Sequence, residues 1–153
     1  SHLSGELLKR LAGVDFTVVI YRGTPQAVTD LVAGRADLMI DSQTLLAPLA
    51  RDGRVRAVAV TTPTRSRLLP ELPTLQEAGI AGYAASSWQA LRTDLARLAA
   101  AVAEVQAEPE VQARYAASGV EPVAGGPAEL GAHLRREMDT WLPILRATGA
   151  RAG

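Results

Sequence analysis

The sequence predicts an α/β fold: a parallel-type sheet with helices on its faces, followed by helices at the carboxyl end. Two strand-to-helix steps indicate this fold. FTVVIY at residues 16–21 precedes a helical pattern at 25–32, and ADLMI at 36–40 precedes the helical pattern LLAPLARDG. A third apolar run, VRAVAV at 55–60, is again typical of a strand. Alternation of strands with helices favours a parallel sheet, because parallel strands need helical crossovers.

The first element is a helix, because Leu3, Leu7 and Leu11 recur at the spacing of one helical face and Gly13 marks its end. The strand FTVVIY that follows is apolar or β-branched on both alternating sides, as expected for a strand covered on both faces. After the third strand comes the proline-rich connector TTPTRSRLLPELPTLQEAG, in which Thr74 and Glu77 have the spacing of a capping box. The connector is therefore predicted to be ordered and to contain one short helix.

Strands give way to helices in the remaining part of the chain. A helix is predicted over 111–117, and a last helix starts at Pro127 and is kinked or ended by Pro143. These patterns divide the chain into an α/β lobe at 1–88 and a helical segment at 89–153. The first helix of that segment has an apolar stripe that consists of Leu91, Leu95, Leu98, Val102 and Val105.

Composition excludes several classes of function. Lys+Arg and Asp+Glu both number 16, so there is no basic excess to attract nucleic acid or an anionic membrane. The chain has no cysteine, which excludes disulfides and thiolate chemistry but fits either an oxidising or a reducing compartment. No apolar run approaches the roughly 20 residues that a membrane-spanning helix needs.

The sequence YRGTP, at the end of the first strand, is the clearest candidate binding site. Gly23 is expected to allow a tight turn, Thr24 to cap the next helix, and Pro25 to lie in its first turn. The free N–H groups and dipole of that helix start would favour a carboxylate or phosphate, with Tyr21 and Arg22 beside it. The alternative, favoured for the turn taken alone, is an ordinary helix start without a ligand.

Two further pairs of residues belong to the candidate site. Asp41 and Ser42 directly follow the second strand and would lie on the same rim, where a ligand role and a role as helix caps are equally balanced. Ser1 and His2 open the first helix, where a hydroxyl and free N–H groups also suit an anion, although a solvated terminal residue is the favoured alternative for His2.

The sequence contains no recognisable catalytic, metal or cofactor motif. His133 is predicted at the surface of the last helix, and Trp88 and Trp141 in a core or at a lobe boundary. Asp37 and Asp41 could act as acid and base, but acid pairs of this kind are common by chance. We therefore expect a binding module with no catalytic residue, no metal and no cofactor.

Three segments, in this order, resemble the solute-binding proteins of tripartite tricarboxylate transporters, the TctC or Bug family. They are the stretch from SHLSGELLKRL to ADLMID, the stretch from GRVRAVAV to GYAASSW, and the stretch from EPEVQARY to LRATGA. The most specific parts are the Y-R-G step before a helix, the pattern R-x-x-x-L-P-x-x-P-T-x-x-E-A-G, and a closing helix that contains a tryptophan.

The resemblance implies a periplasmic protein of two α/β lobes that closes on a small di- or tricarboxylate or an acidic amino acid and passes it to membrane permease subunits. The fold that the resemblance implies is that of a type II periplasmic binding protein, in which the family's second lobe would bind one ligand carboxylate. The positions that match this site are Ser1, His2, Tyr21, Arg22, Gly23, Thr24, Asp41 and Ser42.

The chain departs from the family in length, because it resembles only the carboxyl-terminal half, and its segment after Trp88 is too short for the usual crossover. Its carboxyl-terminal helices, which in the family pack on the first lobe, would have to fold back, pair with a second copy or exchange between chains. The alternatives are a non-binding structural remnant, the effector-sensing domain of a regulator, and a small enzyme that uses the rim acid Asp41.

Overall fold

The computed structural model describes residues 1–90, 96–123 and 125–148. These residues form six α-helices and no β-strand. The helices are α1 (His2–Ala12), α2 (Thr24–Val32), α3 (Gln43–Arg51), α4 (Ala96–Ala107), α5 (Pro109–Ala117) and α6 (Pro127–Thr148).

The chain divides into two compact units. One comprises Ser1–Ser86 and Glu137–Gly153, and the other comprises Ser87–Arg136. The first unit contains α1, α2 and α3, and the second contains α4 and α5, which contact each other. The division into an α/β lobe and a helical segment after residue 88 stays a prediction.

Helix boundaries follow the local signals of the sequence. α1 ends at Gly13, whose φ of 65° is left-handed and whose N–H bonds to the carbonyl of Lys9. α6 begins at Pro127 as predicted. It continues through Pro143 to its end at Thr148, so the alternative that the helix ends at Pro143 is wrong. One missing backbone hydrogen bond does not stop a helix that has its other bonds. Two predicted members of the fourth helix, Leu91 and Leu95, lie outside the described residues.

The predicted parallel sheet is not confirmed in the part of the chain that the structure describes. A single isolated parallel bridge joins Val60 to Thr74, where the N–H of Val60 bonds to the carbonyl of Pro73 at 2.9 Å. The described residues of 16–21 and 37–41 show no backbone-to-backbone hydrogen bonds. An apolar and β-branched pattern favours extended backbone and burial. Hydrogen bonding as a sheet also requires a neighbouring strand in register.

The connector contains the predicted capping box. The N–H of Thr74 bonds to Glu77 Oε2 at 2.8 Å, and the N–H of Glu77 bonds to Thr74 Oγ1 at 3.0 Å. Arg65 donates from Nε to Glu77 Oε2 at 2.9 Å and from Nη1 to the carbonyl of Pro70. The residues after Thr74 form a turn and not a helix, so the expected short helix is wrong although its cap is present.

The core of the first unit surrounds Tyr83, which is fully buried and packs in a cluster with Leu7, Ala85 and Ile144. The Tyr83 hydroxyl donates to the carbonyl of Ser4 in α1 at 2.9 Å. Burial raises the pKa of this hydroxyl to about 12. The segment around Tyr83 therefore holds α1 by both apolar packing and a buried hydrogen bond.

The two tryptophans have different surroundings. Trp141 packs against the core of the first unit and donates from Nε1 to Glu137 Oε2 at 3.1 Å. Trp88, in the second unit, remains 40% exposed and contacts the ring of His133 edge-on, with 4.7 Å between ring centroids. His133 is half-buried next to the Trp88 ring, so it lies partly at the surface of α6. Apolar burial places Trp141 in a core, as expected.

None of the helices in the described ranges combines the length and the hydropathy that crossing a bilayer would require.

Candidate functional site

The starts of α1 and α3 meet at a hydrogen bond between two predicted site residues. Ser1 is the N-cap residue of α1, and its Oγ donates to Asp41 Oδ2 at 3.4 Å. Asp41 is half-buried and directly precedes the N-cap of α3, whereas Ser1 is exposed. Two segments forty positions apart therefore share one edge of the first unit.

Asp41 and Ser42 form the beginning of α3. Ser42 is the N-cap residue, but its hydroxyl makes no capping bond and instead lies against Thr44 Oγ1. The N–H of Ser42 donates to Asp41 Oδ1 at 2.7 Å. Each oxygen of the Asp41 carboxylate thus has one donor, which partly compensates its charge. The cap position is as predicted for Ser42, while its side chain remains at the exposed start of the helix.

The YRGTP turn leads directly into α2. Gly23 is the N-cap residue with φ −169° and ψ 153°, which is extended backbone that any residue adopts. A Cβ built on Gly23 would lie 3.7 Å from Pro25 Cδ, an ordinary contact. Gly23 therefore does not use the conformational freedom of glycine, and the expectation that it allows a tight turn at this position is wrong. Thr24 does not cap the helix, because it already has helical backbone and Gly23 occupies the N-cap position.

The start of α2 remains open to an anion. Arg22, Gly23 and Thr24 are all exposed, and no side chain caps the helix. The first N–H groups of a helix have no partner within the helix, and the dipole adds positive potential there. The guanidinium of Arg22 supplies a full positive charge next to these groups.

Tyr21 has its hydroxyl engaged within the first unit. Its Oη donates to Asp30 Oδ2 at 2.8 Å, while Arg35 donates from Nε and Nη2 to Asp30 Oδ1 at 2.9 and 2.6 Å. The hydrogen bonds from Arg35 and then from Tyr21 lower the pKa of Asp30 below its usual value. The same bond to Asp30 raises the pKa of Tyr21.

His2 lies in the first turn of α1 and is half-buried. Its Nε2 is 3.9 Å from Glu6 Oε1, and Lys9 Nζ is 3.8 Å from the same oxygen. Glu6 therefore offers a partner for the imidazolium of His2 one helical turn away. Among the described residues, no hydrogen bond or ion pair joins the pair Ser1 and Asp41 to the turn at Tyr21.

A family model identifies the chain. The model of the tripartite tricarboxylate transporter family receptor, TctC, matches residues 1–150. The chain belongs to this family. Solved structures that are similar to it in fold and sequence include the periplasmic binding protein BugD. The resemblance inferred from the order of the segments is thereby confirmed, and transport and periplasmic solute binding are properties of the family.

Three structures illustrate the likeness to the receptor family. Rpa4515 of R. palustris, solved with adipate, has a TM-score of 0.77 and 34% identity, over 97% of this chain and 52% of its own. The periplasmic binding protein BugD has a TM-score of 0.72 and 30% identity, over 97% and 53%. MatC of Rhodopseudomonas palustris, with bound malate, has a TM-score of 0.71 and 31% identity, over 95% and 53%.

The chain spans about half the length of the first curated relatives that it matches, which are UPF0065 proteins of Pseudomonas sp. (strain P51) and Agrobacterium vitis. Their whole-protein functions therefore reach this chain only as proposals.

The receptor family's sequence patterns did not reveal Asp30 and Arg35, although a signal for them exists. Asp30 lies in the last turn of α2, where the helix dipole disfavours a negative charge. An acidic residue at such a position needs a cation or donor nearby, and Arg35 follows five positions later. Thr44, which lies against the Ser42 hydroxyl, carries no comparable signal because threonine is common at helix starts.

The described residues contain no group of three or more His, Cys, Asp or Glu side chains that could hold a metal ion. Two open concavities of about 360 and 370 Å³ lie in the first unit, one beside the end of α3 and one between α1 and α6. Neither is lined by the predicted site residues of this TctC chain. The predicted site residues thus lie at or next to the starts of three helices, and the hydrogen bond from Ser1 to Asp41 joins the starts of α1 and α3.

Proposed function

We propose that the chain is a solute-binding lobe for small carboxylates, periplasmic and non-enzymatic, that serves a tripartite tricarboxylate-type transporter. The single observation that carries this proposal is the likeness to a family structure with adipate, at 34% identity over 97% of this chain. A second family structure contains malate, which is also a dicarboxylate. Di- and tricarboxylates or acidic amino acids are therefore the proposed ligand class.

The proposed ligand groups are donors at three helix starts. The free N–H groups of α1 and α2 favour a carboxylate through both hydrogen bonds and dipole, and the α3 start adds the Ser42 hydroxyl. Arg22 supplies the positive charge, and a bidentate guanidinium pair is well suited to a carboxylate. The residues of the proposed site, whether they bind the ligand or position the groups that do, are Ser1, His2, Tyr21, Arg22, Gly23, Thr24, Asp41 and Ser42.

Asp41 requires a separate explanation, since a carboxylate repels an anionic ligand. Its two oxygens accept from the N–H of Ser42 at 2.7 Å and from Ser1 Oγ at 3.4 Å. We infer that Asp41 orients these two residues, and that a water molecule or a hydroxyl separates it from the ligand. An anion beside an acid is tolerated when donors lie between them.

The proposed lobe contains the parallel sheet that the sequence predicts. Val19 and Ile20 are 61% and 78% exposed, and Leu38 and Val58 are also more than half exposed. Exposed β-branched residues with unpaired backbone suit strands that still need a neighbour. We infer that the sheet is completed by further chain of the receptor, by a second copy or by exchange of elements between copies.

Binding to this chain by itself should be weak. Two or three charge-assisted hydrogen bonds contribute roughly 3 to 9 kcal/mol, and immobilising the ligand costs at least about 4 kcal/mol. The difference is at most about 5 kcal/mol, which corresponds to a dissociation constant of roughly 0.2 mM or weaker. A receptor with two lobes would add contacts from the other side of the ligand and reach higher affinity.

The test is an amide NMR titration of the chain with succinate, adipate, malate and citrate, with chloride as the control anion. We expect saturable shifts at His2, Gly23, Thr24 and Ser42, and loss of these shifts in Arg22→Glu. The matched control is Arg97→Glu in α4, which makes the same charge change at another exposed arginine. Shifts that persist in Arg22→Glu, or that disappear equally in the control, would overturn the assignment of this edge.

Gly23→Val provides a second, steric test. Because the backbone of Gly23 is extended and a Cβ has room there, the substitution should leave the fold intact. A bulky side chain at the N-cap would still block close approach of a ligand to the N–H groups of α2. The mass of the chain in solution, measured with and without ligand, tests whether a second copy takes part.

A further inference from the structure

Asp30 connects the two ends of the segment that contains the candidate anion-binding turn. Its Oδ2 accepts from the hydroxyl of Tyr21, which directly precedes the turn, at 2.8 Å. Its Oδ1 accepts from Nε and Nη2 of Arg35, which follows α2, at 2.9 and 2.6 Å. The carbonyl of Asp30 also accepts from the N–H of Arg35 at 2.8 Å and of Ala36 at 3.2 Å. One residue thus fixes both the entry and the exit of α2.

The position of Asp30 makes this set of bonds more than a surface ion pair. A negative charge in the last turn of a helix is opposed by the helix dipole, so the residue is unfavourable there without donors. The Asp30 side chain is 28% exposed and that of Arg35 is 61% exposed. An exposed ion pair alone contributes little, whereas a carboxylate with three donors in fixed geometry restricts the groups around it.

The turn itself has few other restraints. Arg22, Gly23 and Thr24 are exposed, and the described residues of 16–23 make no backbone-to-backbone hydrogen bond. The Tyr21 hydroxyl closes a loop of nine positions onto Asp30, and that loop contains the whole turn and the first part of α2. Restraining the ends of a short loop reduces the number of conformations that the turn can adopt.

We propose that Asp30 is a positioning residue for the anion-binding turn, and that Tyr21 acts through Asp30 and does not touch the ligand. The proposal rests on the proposed function, because it takes Arg22 and the start of α2 as ligand groups. A preorganised turn binds better than a loose one, since less conformational freedom is lost when the ligand arrives. Arg35 completes the arrangement by keeping Asp30 charged and oriented.

The loss of a negative charge and the loss of positioning are expected to change ligand affinity in opposite directions in Asp30→Asn, so the measured direction distinguishes them. Removal of a negative charge near an anion site should by itself strengthen binding of malate or succinate. Loss of positioning should weaken it, about threefold to tenfold for the loss of one restraining hydrogen bond. We expect weakening in Asp30→Asn and in Tyr21→Phe. The control is Glu110→Gln, which removes the same charge from a 2.8 Å pair with Arg114 elsewhere in the chain.

The double variant Tyr21→Phe with Asp30→Asn separates an indirect role from a direct one. If the hydroxyl acts through Asp30, the double variant loses no more affinity than the more damaging single variant. If the Tyr21 hydroxyl contacts the ligand, the two losses multiply, and the proposal is overturned. Tighter binding in Asp30→Asn, or equal weakening in Glu110→Gln, would also overturn it.

Backbone NMR order parameters, measured without ligand, distinguish this proposal from the proposed function. The order parameters of Gly23 and Thr24 should be lower in Asp30→Asn and Tyr21→Phe than in the Glu110→Gln control, because the turn is released. Unchanged order parameters would overturn the positioning role even if the chain binds malate. If the unchanged chain binds no carboxylate, the proposed function fails, and lower order parameters in the two variants would still establish that Asp30 holds the turn.

Discussion

Tyr83→Phe tests the buried contact that holds α1. The substitution removes a hydroxyl from a fully buried side chain and leaves the ring in place. It breaks the 2.9 Å hydrogen bond to the carbonyl of Ser4. Since a typical internal hydrogen bond contributes about 1 kcal/mol net, the free energy of unfolding should fall by about that amount at neutral pH. For a chain of this size the melting temperature should fall by roughly 2 to 4 °C.

The effect should change with pH, because burial raises the pKa of Tyr83 from 10.0 to about 12. Because the pKa is higher in the folded state, the stabilisation is complete at pH values below the pKa of the unfolded state. It is lost as the pH rises through the pKa of the folded state. Two pKa units correspond to roughly 3 kcal/mol, and about half of this is lost by about pH 11. The unchanged chain and Tyr83→Phe should therefore have similar stability near that pH, and the variant should be the more stable one above it.

Urea unfolding followed by circular dichroism, at neutral pH and at several alkaline values, measures this crossing. Tyr115→Phe in α5 serves as the control for removal of a phenol elsewhere. Lys9, whose pKa is raised chiefly by its hydrogen bond with Asp15, loses stabilisation in the same alkaline range, but it is present in both chains and cancels in the difference. A difference between Tyr83→Phe and the unchanged chain that does not vary with pH would refute the reasoning.

Three further predictions concern packing, backbone and acid stability. Leu7→Ala should lower the free energy of unfolding by about 2 to 5 kcal/mol, while Leu98→Ala, at a side chain 45% exposed, should cost much less in the same urea titration. Gly5→Ala should raise the melting temperature, because a Cβ at this position makes only ordinary contacts and alanine is up to about 1 kcal/mol more favourable than glycine in a helix. Gly13→Ala should lower the melting temperature, because the φ of 65° at Gly13 is unfavourable for alanine. Glu77 has its pKa lowered chiefly by the capping hydrogen bond, so stability should fall as pH drops below its usual value near 4.5, and Glu77→Gln should flatten that acid dependence in circular dichroism.

The helices could be predicted from sequence because their signals are local. Gly13 ends α1 because it adopts the left-handed backbone, and Pro127 begins α6 because its ring fixes φ at a helical value. Both effects act within a single turn of helix. The capping bonds of Thr74 with Glu77 are local in the same way. The sheet is different, because a strand such as the one predicted at 16–21 needs a neighbouring strand that its own residues do not specify.

The candidate site shows the same distinction between local and distant information. That Ser42 starts α3 follows from its own position, whereas the 3.4 Å contact from Ser1 to Asp41 depends on how two distant segments meet. The error at Gly23 has a related origin. Glycine at a helix start suggests a backbone conformation that other residues avoid, but Gly23 has an extended φ of −169°. The remaining reason for a small residue there is that it lets a ligand come close to the backbone.

The absence of net charge and the placement of donors together explain how a carboxylate could be selected. With equal numbers of basic and acidic residues, the chain has no global field to attract anions, so recognition depends on groups within hydrogen-bonding reach. Helix starts supply such groups without adding mobile charges, and Arg22 adds one cation. Asp41 and Asp30 both hold neighbours of these donors in place through their own hydrogen bonds. Asp41 and Asp30 are therefore compatible with an anion site in the first unit. Each carboxylate accepts hydrogen bonds from the groups that it holds in place, and these bonds partly compensate its negative charge.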